Sequence, residues 1–361
     1  MIGLRMSNRL QKITDYPAYL EACWQEHLAP RADDAPSVIS TFAGCGGSSL
    51  GYSMAGFREL LAVEWDDNAV AIFKLNFPDV PIYHNDIAKL SVSQCLEMTG
   101  LQPGVLDVLD GSPPCQGFST LGKHSFNDDR NQLFREYMRL LRGLKPKVLV
   151  MENVSGLAEG RMRPIFAEIL RELKASGYQV SARLLNAMYF GVSQSRQRII
   201  FIGVREDLGI APSHPVAETM PVMVGEAWKG LPKDQDQKIG HCWTEVKNGS
   251  KTYTNLLKAR PGDKIGNYGW VTRLKFNAVS GTIPTSGWHF HPEELRRISM
   301  REGARLSSFC DEFDFGDNWR LGRRYIGNSV PPLMMRAIAK HIRCKILAQI
   351  VPGEIPKSLT K

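Results

Sequence analysis

A chain of 361 residues with 43% hydrophobic and 23% charged residues has the make-up of an ordinary folded protein, and its length predicts one large α/β domain carrying a smaller second lobe. No stretch approaches the roughly 18 apolar residues of a membrane span, and MIGLRMSNRL lacks the apolar core of a signal peptide, so membrane proteins are excluded and a cytoplasmic address is expected. The net charge of +8 suits a polyanionic partner without requiring one, since many basic enzymes never touch nucleic acid.

Residues 1–36 are polar and rich in charge and proline (APRADDAPS), and read as an N-terminal extension outside the core. From Ser37 to Arg205 short β-prone runs alternate with helical stretches. SVISTF leads into a Gly-rich turn and a helix ending near Met54; ELLAVE precedes DDNAVAIFKLNF; then come PIYH, VLDVLD, KVLVMEN, YQVSARLL and RIIFIGV. That rhythm predicts a mostly parallel, doubly wound sheet covered by helices. It fails after Val204, where residues 206–290 carry scattered Gly, Pro, Trp, Tyr and Lys and read as a small irregular lobe with its core at about 206–271. A C-terminal segment, 291–350, follows, with a helix predicted over Pro292–Arg305 and a second over PPLMMRAIAKHIRCKILAQI; residues 351–361 form a tail.

The seven cysteines form no CxxC pair and are odd in number, which indicates neither a disulfide framework nor a zinc site. Most are expected to be small buried thiols. Cys115 is different. It follows the fourth strand in DGSPPCQGFSTLG, at the strand edge where open α/β sheets bind ligands, with Pro113 and Pro114 fixing the backbone before it. A thiol there, if stabilised as thiolate, is a nucleophile; the bland alternative is a buried cysteine after a diproline turn.

Other polar residues gather at the same edge. The Gly-rich FAGCGGSSLG turn permits close approach of a ligand to backbone, although Ser49 breaks the GxGxxG spacing. Glu64 stands twenty residues after Gly44, where a carboxylate can accept the ribose hydroxyls of an adenosine cofactor. Trp65 suits stacking on the adenine, or plain core packing; Asp86 suits the adenine amino group, or a helix N-cap. Glu152 and Asn153 end the fifth strand, where an acid can work beside the thiol. In FGVSQSRQRIIFIGV, Gln194, Arg196 and Arg198 alternate and so project to one face, suited to a base carbonyl or phosphate, or to surface ion pairs.

The ordered blocks FAGCGGSSLG, VEWD, HNDI, GSPPCQGFS, MENV, QSRQR, REGARL and IGNSVPP resemble those of the DNA cytosine-C5 methyltransferases over roughly residues 37–205 and 272–345. The resemblance implies an S-adenosylmethionine-binding domain, yielding S-adenosylhomocysteine without a metal, a target-recognition lobe, and a C-terminal helix returning beside the cofactor loop. It implies that Cys115 adds to cytosine C6, Glu152 holds and protonates N3, Arg198 binds O2, and Arg196 positions the loop and Glu152. Phe42, Gly44, Gly46, Gly47, Glu64, Trp65, Asp86, Ile87, Pro114, Leu133, Asn328, Ser329 and Val330 are the implied cofactor residues. Gln116, Ser119, Lys123 and Arg130, in a lid over a flipped base, are the expected DNA contacts beside the catalytic thiol.

Lys258 and Arg260, the DNA contacts expected of the lobe, and with them Lys251, Tyr253, Lys264, Tyr268 and Trp270, give it phosphate-binding and stacking capacity, or are its solvated surface and core. The expected partners are duplex DNA and a cognate restriction endonuclease acting on the same site, with the chain itself a monomer. The chain departs from the family pattern at Ser40 and Thr41, where an Asp is common before Phe-Ala-Gly, and at Ser193 and Ser307. A tRNA methyltransferase on the same scaffold is the alternative enzyme, and an inactive DNA-binding module the alternative class.

Overall fold

The computed structural model describes residues 10–114, 132–233, 245–265 and 271–350. Seven strands form one sheet: β1 (Ser37–Thr41), β2 (Arg58–Glu64), β3 (Ile82–His84), β4 (Val108–Gly111), β5 (Val148–Val154), β6 (Tyr178–Asn186) and β7 (Gln197–Arg205). Their order is β3-β2-β1-β4-β5-β7-β6. The first five pair in parallel, and β7 inserts antiparallel between β5 and β6, so the predicted mostly parallel α/β sheet is borne out.

Alternation along the buried strands loads both faces. Val38, Ala62, Val108, Val150 and Ile202 face one apolar cluster; Ile39, Leu61, Leu109, Met151 and Phe201 face the other. Helices α2 (Gly47–Met54) and α3 (Asp67–Asn76) contribute to the first cluster, while α4 (Val92–Thr99), α5 (Gln132–Leu144) and α6 (Arg163–Ala175) contribute to the second. The strand order reverses between β1 and β4, which places a ligand crevice at their carboxyl ends.

The expectation that residues 1–36 lie outside the core is corrected. Helix α1 (Tyr16–Leu28) starts at the Asp15 cap and buries Tyr16, Leu20 and Cys23 in the first cluster. Its few apolar side chains sit among polar ones, so the pattern is weak, yet Tyr16 is fully buried and donates to the Arg305 carbonyl at 3.3 Å. Glu26 then binds Arg336 and Lys340 at 2.6 and 3.2 Å.

Beyond Val204 the boundary is not where the rhythm stops. The short helix α7 (Val224–Ala227) and Trp228 pack into the first cluster, and a separate small core of Leu256, Ile265, Val271 and Phe290 forms around α8 (Lys251–Lys258).

The helix predicted over Pro292–Arg305 is also corrected. Only α9 (Met300–Leu306) forms, because Ser299 and Glu302 make a reciprocal capping box that fixes its start. Upstream, Arg296 and Arg297 lie in β-bridges to Glu245 and Phe290. Arg296 is held at 2.7 and 2.8 Å by Glu294 and Glu302, so tertiary ion pairs override the N-terminal helix signal of Pro292, Glu293 and Glu294. Helices α10 (Trp319–Asn328) and α11 (Pro332–Lys345) follow; α11 is the C-terminal helix read from sequence, and α10 is an arginine- and glycine-bearing helix that periodicity did not show.

Candidate active site

A cavity of about 950 Å³ opens at the carboxyl edge of the sheet. Of the implied cofactor residues, Phe42, Gly44, Gly47, Glu64, Trp65, Asp86, Ile87, Pro114, Leu133, Asn328, Ser329 and Val330 line it, together with Glu152, Arg196 and Arg198. Gly46 does not. Its left-handed φ of 97° makes the turn before α2, and a side chain there would strike the Phe77 ring at 2.4 Å.

At Gly47 a Cβ would lie 2.6 Å from the Val330 carbonyl oxygen. The glycine is what lets the Asn328–Val330 segment close against the start of α2. Cys45 Sγ and Ser329 Oγ lie 3.2 Å apart across the same junction, and burial pushes that thiol up to about 11, so it stays neutral.

Glu64 ties this loop to β2. Its Oε2 accepts from Gly44 N at 2.8 Å, and its Oε1 accepts from Trp65 N and Asp66 N, each at 2.9 Å. The carboxylate thus shapes the cavity wall while lining it. Trp65 is 74% exposed beside it, which rules out core packing and leaves the indole face open to a ligand. Asp86 does cap the turn after β3, accepting from Ala88 N at 2.9 Å, while still lining the cavity.

On the far side Arg198 Nε lies 2.7 Å from Glu152 Oε1. Arg196, 4% exposed, donates to the Ile283 and Gly327 carbonyls at 3.4 and 3.0 Å, and its Nε has no acceptor among the described residues. Burial, then the Arg198 charge, brings its pKa down to about 9. Gln194 donates to Ser307 Oγ at 2.9 Å and accepts from Ile283 N at 3.0 Å. The single face expected for Gln194, Arg196 and Arg198 is therefore corrected: β7 begins only at Gln197, so the first two turn to the Ile283 segment and only Arg198 meets Glu152.

Cys115, Gln116, Ser119, Lys123 and Arg130 lie outside the described residues, as do Tyr268 and Trp270. The approach to Cys115 is anchored: Asn153 Nδ2 donates to the Pro113 carbonyl at 3.2 Å, and Pro113 and Pro114 line the cavity. Lys258 and Arg260 are exposed at the end of α8, away from the cavity wall. Sequence reasoning missed Thr282–Thr285, Arg324 and Tyr325, which also line it. Tyr325 abuts the IGNSVPP block and donates to Asp66 at 2.6 Å, so adjacency was a usable signal; Thr282–Thr285 offered none.

A doubly wound sheet with a Gly-rich loop, an acidic residue ending the second strand, and an acid–arginine pair in the same cavity is the arrangement of an α/β enzyme whose ligands meet at the carboxyl edge of the sheet. The sequence profile of the C-5 cytosine-specific DNA methylases matches residues 37–344, and the chain belongs to that family. It is a DNA (cytosine-5-)-methyltransferase, and the family implies S-adenosylmethionine dependence.

The type II methyltransferase M1.HphI of Haemophilus parahaemolyticus is 34% identical over 328 residues, covering 85% of this chain and 86% of its own. M.XorII of Xanthomonas oryzae is 32% identical over 360 residues, covering 85% and 84%. Among solved structures, an E. coli prophage-encoded protein described as a candidate DNA modification methyltransferase superposes with a TM-score of 0.72 at 27% identity, covering 86% of this chain and 99% of its own. The Dnmt2 methyltransferase of S. pombe, at 0.59 and 18% over 85% and 97%, shares the fold. Among the described residues no helix is long and apolar enough to cross a membrane.

Proposed function

We propose that the chain methylates cytosine C5 within one short duplex DNA sequence, by flipping the base into the cavity and adding Cys115 to C6. The observation that carries this reading is the Glu152–Arg198 pair, which lines the same cavity as Glu64, Trp65 and Ser329. The residues fit S-adenosylmethionine: an open indole face, a carboxylate at ribose position, and a glycine-lined approach between α2 and Ser329. When bound, that cofactor supplies the methyl group that C5 accepts.

The protein's own groups do the rest. Cytosine C5 is a poor nucleophile until C6 carries an added group, and the Cys115 thiolate adds there. Glu152 delivers a proton to N3 as the ring becomes an enamine, and Arg198 binds O2. Arg196, fixed to two backbone carbonyls, holds the wall against which the base rests. Loss of the C5 proton to solvent then expels the thiolate, and N3 returns its proton to Glu152 as the aromatic ring is restored. Flipping costs a few kcal/mol, recovered from pocket and backbone contacts.

The lobe around α8, with its own small core, would read the sequence, and Lys258 and Arg260 would hold phosphate. Gln116, Ser119, Lys123 and Arg130 would close over the flipped base. A monomer is proposed because one chain supplies every group named. A cytoplasmic address follows from a DNA substrate, and the type II names of the relatives support a cognate restriction endonuclease acting on the same site.

Duplex DNA carrying 5-fluorocytosine, which cannot lose a proton from C5, tests the chemistry. A denaturation-resistant adduct should form with the wild type and not with Cys115→Ser; no adduct in either overturns the covalent route. Folded tRNA at equal salt is the control, and a preference for it would overturn the DNA assignment.

A further inference from the structure

Helix α10 carries arginines that the chemistry does not use. Arg320, Arg323 and Arg324 fall at helical i, i+3 and i+4 spacing and so share a face. Arg324 lines the active-site cavity, so the cluster starts at its rim. Arg323 lies 4.5 Å from the Trp288 ring centroid and 5.7 Å from that of Trp319, while Arg320 lies 4.9 Å over Trp319. Arg297, from the segment before α9, lies 4.5 Å over Phe290.

Like charges packed this closely are costly without counter-charges. Among the described residues none of Arg297, Arg320 and Arg323 has a carboxylate within 4.0 Å, and Arg324 has only Asp66, at 3.9 Å. Burial, then the Arg297 and Arg320 charges, lowers Arg323 to about 10. The aromatic faces hold the guanidinium planes by cation–π attraction, which orients them while leaving the N–H edges of Arg320 and Arg323 without an acceptor among the described residues. Planar donors held in place and uncommitted are suited to phosphodiester oxygens.

We propose that Arg320 and Arg323, supported by Arg297, grip the phosphate backbone of the duplex beside the flipped cytosine, as an electrostatic contact separate from Lys258 and Arg260 in the lobe. The proposal rests on the DNA assignment above. Its contribution is blind to sequence, because phosphates carry no base information.

The test is binding of duplex DNA across a salt series for the wild type, Arg320→Gln, Arg323→Gln and the double variant. Each lost phosphate contact should flatten the slope of log K against log salt by about 0.9, equally on target-bearing and target-free duplexes. S-adenosylmethionine affinity should stay at the wild-type value. An unchanged slope in the folded double variant, with its melting temperature intact, overturns the proposal. Should loss of the Trp288 stack unfold Arg323→Gln, the exposed Arg320→Gln and Arg320→Glu decide alone: graded weakening supports the grip, and wild-type slopes overturn it. Failure of the DNA assignment looks different, since the wild type itself would then not methylate DNA.

Discussion

Glu152 and Arg198 form an ion pair of 2.7 Å with side chains only 11% and 13% exposed, and the register of an antiparallel strand pair is what joins them. Glu152 stands opposite Ile200, so Arg198, two residues along β7, is its diagonal neighbour on the same face. Had β7 run parallel to β5, as β4 does on the other side, the two would not meet in this way.

From that pairing, Glu152→Gln should slow single-turnover methyl transfer by roughly 10²–10⁴-fold, the usual size of a general acid–base contribution. Cofactor affinity measured by calorimetry should hold, because Glu64 and Trp65 follow β2, which β1 and β4 separate from the strand that carries Glu152. Undiminished transfer in this variant would remove Glu152 from the chemistry. Some loss of stability is expected as well, since Arg198 is left without its charged partner.

Glu64→Ala should affect more than the cofactor. Three backbone N–H groups, of Gly44, Trp65 and Asp66, lose their carboxylate acceptor. Hydrogen bonds to a charged group are worth about 1.5–3 kcal/mol each. Both cofactor affinity and melting temperature should fall, and Glu64→Gln, which keeps one carbonyl acceptor, should fall less in each. A variant with normal melting and normal affinity would show that the carboxylate holds neither loop nor ligand.

A buried acid beneath the site predicts pH dependence. Burial raises Asp110, which accepts from Tyr52 at 3.2 Å, from 3.8 to about 8. The folded protein therefore keeps a proton that the unfolded chain releases, so the contribution of Asp110 to stability declines as pH rises from about 4 to about 8 and is flat above that window. Glu59, raised by burial to about 7, acts in the same direction. In denaturant titrations at several pH values, Asp110→Asn should gain on the wild type as pH rises through this window. A constant gap between the two would mean that Asp110 does not titrate there.

The amino-terminal helix should be indispensable to the fold. Tyr16 is fully buried against the segment around Arg305, and Tyr16→Ala should cost about 3–5 kcal/mol, the usual range for emptying a buried aromatic site. Denaturant unfolding measures this, and a loss under about 1 kcal/mol, the size of an ordinary surface change, would return the helix to the status of an appendage.

Much of this protein is local and was legible in its residues. The central strands β1, β4, β5 and β7 announce themselves by short apolar runs, because a strand buried on both faces needs apolar side chains at nearly every position. Many of the cavity residues, from Phe42 to Arg198, stand in blocks beside strand ends, where the connection itself carries them to one edge of the sheet. What only the tertiary structure decided involves partners far apart in the chain. Tyr16 meets Arg305 across 289 residues, Arg196 meets Gly327 across 131, and neither contact leaves a period to detect. The segment before Ser299 carried a helix signal and became extended, because Arg296 found carboxylates in a folded neighbourhood that propensity does not sense. Local pattern records which face a residue shows; the closing of the chain decides what stands opposite it.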